Sequence, residues 1–227
     1  MDVLLIAGLW LRNTVWNGVA GELERLGHRP VPVALPGVDD GSTTATLADQ
    51  LDAVVAAIDG ADRPMVVGHS AACTLAWMGV DRRPDQVGMV ALIGGFPAAS
   101  GDTYADFFEP VHGVMAFPGW GPFEGADSAD LDAEARTALA SDTVPVPERV
   151  SRGVVSLTDD RRFQVPTVVI CPEFNPEQAK GWIAGGDVPE LAAAKHLSFV
   201  DIDTGHWPMV TAPAELAAVL SDAASAH

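Results

Sequence analysis

The chain has 227 residues, of which 48% are hydrophobic, and a formal net charge of -18. That length suits one large α/β domain better than two small ones, and the apolar content excludes a disordered chain. The negative charge argues against a nucleic-acid partner, which needs a basic face, and gives no reason to expect binding to an anionic membrane.

Asp2 to Ala7 is a short continuous apolar run, the pattern of a strand buried on both faces. Gly8 to Asn13 interrupts it as a loop. Thr14 to Leu26 sets Val15, Trp16, Val19, Leu23 and Leu26 at helical spacing, and Gly27 ends that helix. Arg29 to Leu35 reads as a second strand, and its prolines (Pro30, Pro32) place it near the sheet edge. Thr44 to Ile58 is a predicted helix with Leu47, Leu51, Val54, Val55 and Ile58 on one face. Met65-Val66-Val67 is a strand, followed by a helix over Ala71 to Val80. Val87 to Ile93, Pro166 to Cys171 and Leu197 to Ile202 are further strands. Glu177 to Ile183, Pro189 to His196 and Pro213 to Ser221 are the remaining helices. Strands alternating with helices across short loops predict a mostly parallel sheet with helices on both faces, in a single domain over 1–227.

One region breaks this rhythm. Between Ala98 and Gln164 no strand pattern is found, and Phe107, Phe108, Met115, Phe117, Trp120 and Phe123 lie among glycines and prolines. About 98–164 therefore reads as a cap-like insertion over a site, the alternative being a peripheral layer whose aromatics pack on the sheet. The N-terminus lacks the basic flank of a secretion signal, and no run approaches the roughly 20 apolar residues of a membrane span. The expectation is a soluble, cytoplasmic chain. Cys73 and Cys171 lie in apolar segments and read as buried free thiols.

The most informative stretch is Val66-Val67-Gly68-His69-Ser70-Ala71-Ala72. A strand runs into Gly-x-Ser-x-Ala and a helix follows at once, which is the context of a nucleophile elbow. Small residues flank Ser70 where bulk would clash, with Ala72 standing where Gly is usual. The plainer alternative is that Ser70 only caps the helix.

A nucleophilic serine needs a base, and the base needs an orienting group. His28 follows a helix-ending glycine, His112 lies in the insertion, His196 ends a helix and His227 is the terminus. His69 is read as pointing away from Ser70 and packing or bonding locally. His206 remains, in Asp203-Thr204-Gly205-His206-Trp207-Pro208, directly after the last strand. In a parallel sheet the carboxyl ends of the strands open onto one crevice, so this loop reaches the face that holds Ser70.

Together, Ala7-Gly8-Leu9-Trp10, Leu35-Pro36-Gly37, Gly68-His69-Ser70-Ala71-Ala72 and Gly205-His206-Trp207-Pro208 make the chain resemble an α/β-hydrolase fold protein of the small esterase, lactonase and hydroxynitrile-lyase branch. The resemblance implies Ser70 as nucleophile, His206 as base, and the backbone N–H groups of Leu9 and Ala71 as the oxyanion hole. Two departures stand out. Ala7-Gly8 replaces the usual His-Gly, and the acid expected after the penultimate strand falls at Asn175 in Cys171-Pro172-Glu173-Phe174-Asn175-Pro176. Glu173 lies two residues earlier, on the same side of an extended chain, and is the preferred acid; Asn175 is the alternative.

Trp10, Phe96 and Trp207 neighbour this site and could line a substrate pocket or be core aromatics. The pairs Asp39-Asp40 and Asp159-Asp160 read as solvated loop charges. No residues have metal-ligand spacing, and neither Gly94-Gly95 nor Gly185-Gly186 makes a dinucleotide fingerprint, so no metal and no cofactor is expected. The expected partner is a small-molecule substrate; oligomeric state is not legible. The functional expectation is a serine hydrolase of an ester, thioester or lactone of a small apolar substrate, working through an acyl-Ser70 intermediate. The alternatives are a lyase, isomerase or cyclase using His206 as base, or a ligand-binding module without chemistry.

Overall fold

The apolar runs become strands covered on both faces, as their lack of alternation requires. The computed structural model describes residues 1–225, so His227 lies outside the described residues. In chain order the elements are β1 (Asp2–Ile6), α1 (Asn17–Arg25), β2 (Arg29–Pro32), α2 (Leu47–Asp59), β3 (Met65–His69), α3 (Ala72–Arg82) and β4 (Met89–Ile93). Then come β5 (Val114–Met115), α4 (Ala133–Ser141), β6 (Val146–Pro147), α5 (Glu148–Ser151), β7 (Thr167–Cys171) and α6 (Pro176–Gly185). The chain finishes with α7 (Pro189–Ala193), β8 (Leu197–Asp201), α8 (Pro208–Thr211) and α9 (Pro213–Ser225). The six long strands form one sheet in the order β2-β1-β3-β4-β7-β8, every pairing parallel. β2 with its prolines is an edge strand.

Successive residues of each central strand feed two separate cores. Leu4, Ile6, Val66, Val90, Leu92 and Val169 join the layer built by α2 and α3. Val3, Leu5, Met65, Val67, Ala91 and Ile170 join the layer built by α1 and α9. The first helix begins as a 3₁₀ turn over Asn13–Trp16 before α1 takes over. No helix among the described residues is long and apolar enough to cross a membrane. Cys73 and Cys171 are buried and unbridged.

Several expectations need correcting. The insertion does contain strand: β5 and β6 pair antiparallel, but two-residue strands carry no alternation for a sequence window to register. The insertion's end, a 3₁₀ turn over Asp160–Gln164, packs under α3, where Trp77 meets Phe163. The helix predicted to run to His196 stops at Ala193, and His196 instead offers its carbonyl to Thr167 N–H at 2.8 Å. The acidic pairs are not merely solvated. Asp39 accepts the backbone N–H groups of Asn13 and Leu35, Asp40 those of Gly37 and Ser42, and Asp159 that of Arg161.

Candidate active site

The chain crosses from β2 back over β1 to β3, and at such a reversal the carboxyl ends of the strands leave a crevice. Ser70 stands in it, between the last residue of β3 and the first turn of α3. Its φ of 56° is left-handed, a conformation costly for a residue with a Cβ. The neighbours impose it: Ser70 N–H donates to Ile93 O at 2.8 Å, and a Cβ on Gly68 would come within 2.4 Å of Ala72 O. Only glycine at 68 lets the helix start so close to the strand. Ala71 N–H sits at the positive end of α3, and Leu9 N–H comes from the loop after β1. Neither donates to another backbone group among the described residues.

His206 follows β8 and is largely buried. Its Nδ1–H donates to Glu173 Oε1 at 2.7 Å, so Nε2 is the ring nitrogen free to accept a proton. Asn175 is engaged elsewhere, since its side chain accepts Gln178 N–H and caps α6 at the exposed surface. The extra methylene of glutamate reaches the ring from a residue nearer the strand, and the amide two residues on is drawn away by the helix start. Ser70 and His206 line one cavity of about 30 Å³ together with Leu9, Trp10, Phe123 and Trp207. No hydrogen bond joins Ser70 Oγ to the ring among the described residues, a looseness common at unliganded sites.

His69 bonds far from its own segment. Its Nε2–H donates to the carbonyl of His206 at 2.7 Å, and the two rings lie 4.9 Å apart. Burial, reinforced by the neighbouring His206, pushes its pKa down to about 3, so it stays neutral. His69 is packed, as one of the two expected options had it, against Trp16, but its hydrogen bond is not local: it ties across 137 residues to the loop that carries His206. A second tie comes from the insertion. Asp127 O accepts His206 N–H at 2.7 Å, and the Asp130 carboxylate accepts Gly205 N–H at 2.8 Å. A Cβ at Gly205 would meet Asp130 at 2.3 Å, so glycine there lets the insertion press against the loop. Burial raises the Asp127 pKa, partly opposed by His206.

Of the aromatics, Trp10 is held rigidly. It has a φ of 66°, its Nε1–H donates to Met115 O at 3.0 Å, and its ring packs on Phe108, Phe117 and Phe123. Trp207 closes the same small cavity, while Phe96 lines a larger open cleft of about 710 Å³ that also reaches Ser70. Sequence reasoning passed over Tyr104, Asp127 and Asp130. Tyr104, the only tyrosine in the chain, lines the large cleft. Its singularity was the one available signal; the two aspartates had none, since their partners lie some 75 residues away.

The sequence matches the alpha/beta hydrolase family over residues 3–219. No curated protein matches it. Among solved structures it is similar to an extracellular alpha/beta-hydrolase from a Paenibacillus species, described as sharing structural and functional homology with tobacco salicylic acid binding protein 2. That match has a TM-score of 0.81 at 18% identity and covers 98% of each chain. A methylesterase from Arabidopsis superposes with a TM-score of 0.78 at 16% identity over 100% of both chains. A pyrethroid hydrolase from Sphingobium faniae JZ-2 gives 0.72 at 19% identity, covering 100% of this chain and 98% of that one.

Proposed function

Since the chain belongs to the alpha/beta hydrolase family, we propose that it is a serine hydrolase cleaving an ester, thioester or lactone of a small molecule. The observation that carries this reading is the 2.7 Å bond from His206 Nδ1 to Glu173, in a cavity shared with Ser70. A base oriented by a carboxylate beside a strained serine is what acyl transfer needs.

In the proposed mechanism Ser70 Oγ attacks the carbonyl carbon and passes its proton to His206 Nε2. The Glu173 carboxylate stabilises the imidazolium that forms and holds the ring's tautomer. The N–H groups of Leu9 and Ala71 receive the oxyanion, donors of this kind each contributing about 3 kcal/mol. His206 then protonates the leaving group, and a water activated by the same nitrogen releases the acyl group from Ser70. Trp10 and Trp207 bound the small side of the site and Phe96 the large side, which suits a substrate with one slim and one bulky part. The Glu173 bond supplies the acid that position 175 lacks, which supports chemistry over silent ligand binding; a lyase, isomerase or cyclase working on the same constellation is the second reading. The methylesterase and the pyrethroid hydrolase that share the fold make esters the first class to try.

A fluorophosphonate probe and p-nitrophenyl acetate test the reading. Wild type is expected to be labelled at Ser70 and to turn the ester over, and Ser70→Ala to lose both, with a rate loss of at least about 10⁴-fold. A folded wild type showing neither labelling nor turnover removes the hydrolase reading.

A further inference from the structure

Of the two cavities that meet at Ser70, the larger one has a distinctive lining. Asp102, Asp106 and Asp187 line it, and no lysine, arginine or histidine among the described residues does. The nearby guanidinium of Arg152 is divided between Asp106 and Glu109. Asp102 accepts only the backbone N–H of Ala99, and neither it nor Asp187 is in an ion pair among the described residues. Between the carboxylates stand Phe96, Phe107 and Trp182, the last two unusually exposed for large apolar side chains, at 62% and 37%. Phe96 and Trp182 meet edge to face at 5.9 Å, and both pack on Phe174. Tyr104 completes the wall. It is 4% exposed, and its hydroxyl has no hydrogen-bond partner among the described residues. Burial holds this phenol protonated, its pKa raised above the usual range.

Each feature discriminates between substrate charges. A negative group would meet the carboxylates of Asp102 and Asp187 without a counter-charge, Arg152 being already paired with Asp106 and Glu109. A purely apolar group would strip water from the carboxylates and from the Tyr104 hydroxyl and give nothing back. A cation is answered by carboxylate oxygens and by the negative faces of aromatic rings. The net charge of -18 adds a field that draws cations toward any cleft.

Building on the serine-hydrolase reading, we propose that this cleft receives the larger part of the substrate and that this part carries a positively charged amine. The ammonium is held by Asp102, Asp106 and Asp187 against Phe96, Phe107 and Trp182, with the Tyr104 hydroxyl as a further hydrogen-bonding partner. The slim part of the substrate lies across Ser70 in the small cavity.

Three methyl esters that differ only at the far end test this: methyl 6-aminohexanoate, methyl heptanoate and monomethyl heptanedioate, assayed at pH 8, where an alkyl amine of pKa about 10 is charged. The acetates of 6-aminohexan-1-ol, heptan-1-ol and 7-hydroxyheptanoic acid carry the same charges on the alcohol side. In the set that is turned over, kcat/KM is expected to fall in the order amine, alkyl, carboxylate, with at least tenfold between amine and alkyl at low salt. The preference should shrink as salt screens the charges over about 10 Å at 0.1 M. The double variant Asp102→Asn/Asp187→Asn should lower the amine-to-alkyl ratio severalfold. Equal or better turnover of the alkyl ester overturns the charge preference and leaves the hydrolase reading standing. An unchanged ratio in the double variant overturns the assignment to these aspartates. Titration calorimetry with hexylammonium and hexanoate needs no turnover: tighter ammonium binding supports the proposal and tighter hexanoate binding overturns it, even if Ser70 proves inert.

Discussion

Two buried clusters of ionisable side chains lie at opposite ends of α3, and they differ in how completely their hydrogen bonds are satisfied. In its last turn, Asp81 accepts the N–H groups of Thr158 and Asp159 at 2.8 Å each and pairs with Arg162. Arg162 also bonds Glu190 at 2.9 Å, and Glu190 takes the Trp77 indole N–H at 2.9 Å. At the amino end, Glu173 commits one oxygen to His206, while its Oε2 and the Nδ1 of His69 find no partner among the described residues. Ser70 beside them sits in a strained conformation. A cluster with every group engaged can only hold helices together. A cluster with free acceptors next to a strained hydroxyl keeps capacity for a substrate, and it does so at a cost in stability.

The comparison can be broken most sharply at Glu173. Glu173→Gln keeps a hydrogen-bond acceptor for His206 but removes the charge, and kcat is expected to fall about 10²- to 10⁴-fold with little change in the urea midpoint. A loss below tenfold would mean that the carboxylate is not what stabilises the imidazolium. Arg162→Met should do the reverse. It strands Asp81 and Glu190 without their cation, costing about 3–5 kcal/mol in urea unfolding, while kcat per folded molecule stays at the wild-type level.

A smaller effect comes from His69. Its folded-state pKa of about 3 lies below the ordinary 6.5 of an exposed histidine, so between these values the unfolded chain binds a proton that the folded chain excludes. The stability this histidine allows is therefore whole above pH 6.5 and falls as pH drops, by about 1.4 kcal/mol per unit. Urea unfolding at pH 7 and pH 5 should show the wild type losing about 2 kcal/mol more than His69→Gln, which keeps a donor for the His206 carbonyl but cannot titrate. Equal losses would place the acid sensitivity elsewhere. The smallest change is at the nucleophile. Ser70→Gly frees the φ of 56° and should stabilise the fold by about 1 kcal/mol while abolishing labelling; a destabilised variant would show that the turn is unstrained.

The elbow was legible because everything it needs is local: the buried strand, Gly68 and the small residues after Ser70. His206 was legible from topology, since a loop after the last parallel strand has one place to go. Glu173 was singled out by assuming an extended chain after β7, but the backbone bends over 172–174, so its meeting with the ring rests on that bend and not on the period of two. The β5–β6 ribbon, the His69 tie and the Asp127–Asp130 clamp left no such mark. Each joins groups remote in sequence, through contacts that any of several residue types could make.

Read alone, the sequence determined the sheet, its two helical layers and the residues offered to chemistry, because apolar period, helix caps and glycine turns act over a few residues. Only the tertiary structure decided which carboxylate reaches His206, what pins its loop, and that the open cleft is walled by aspartates and aromatics. Those outcomes depend on the distances between elements, and no segment of the chain encodes such a distance by itself.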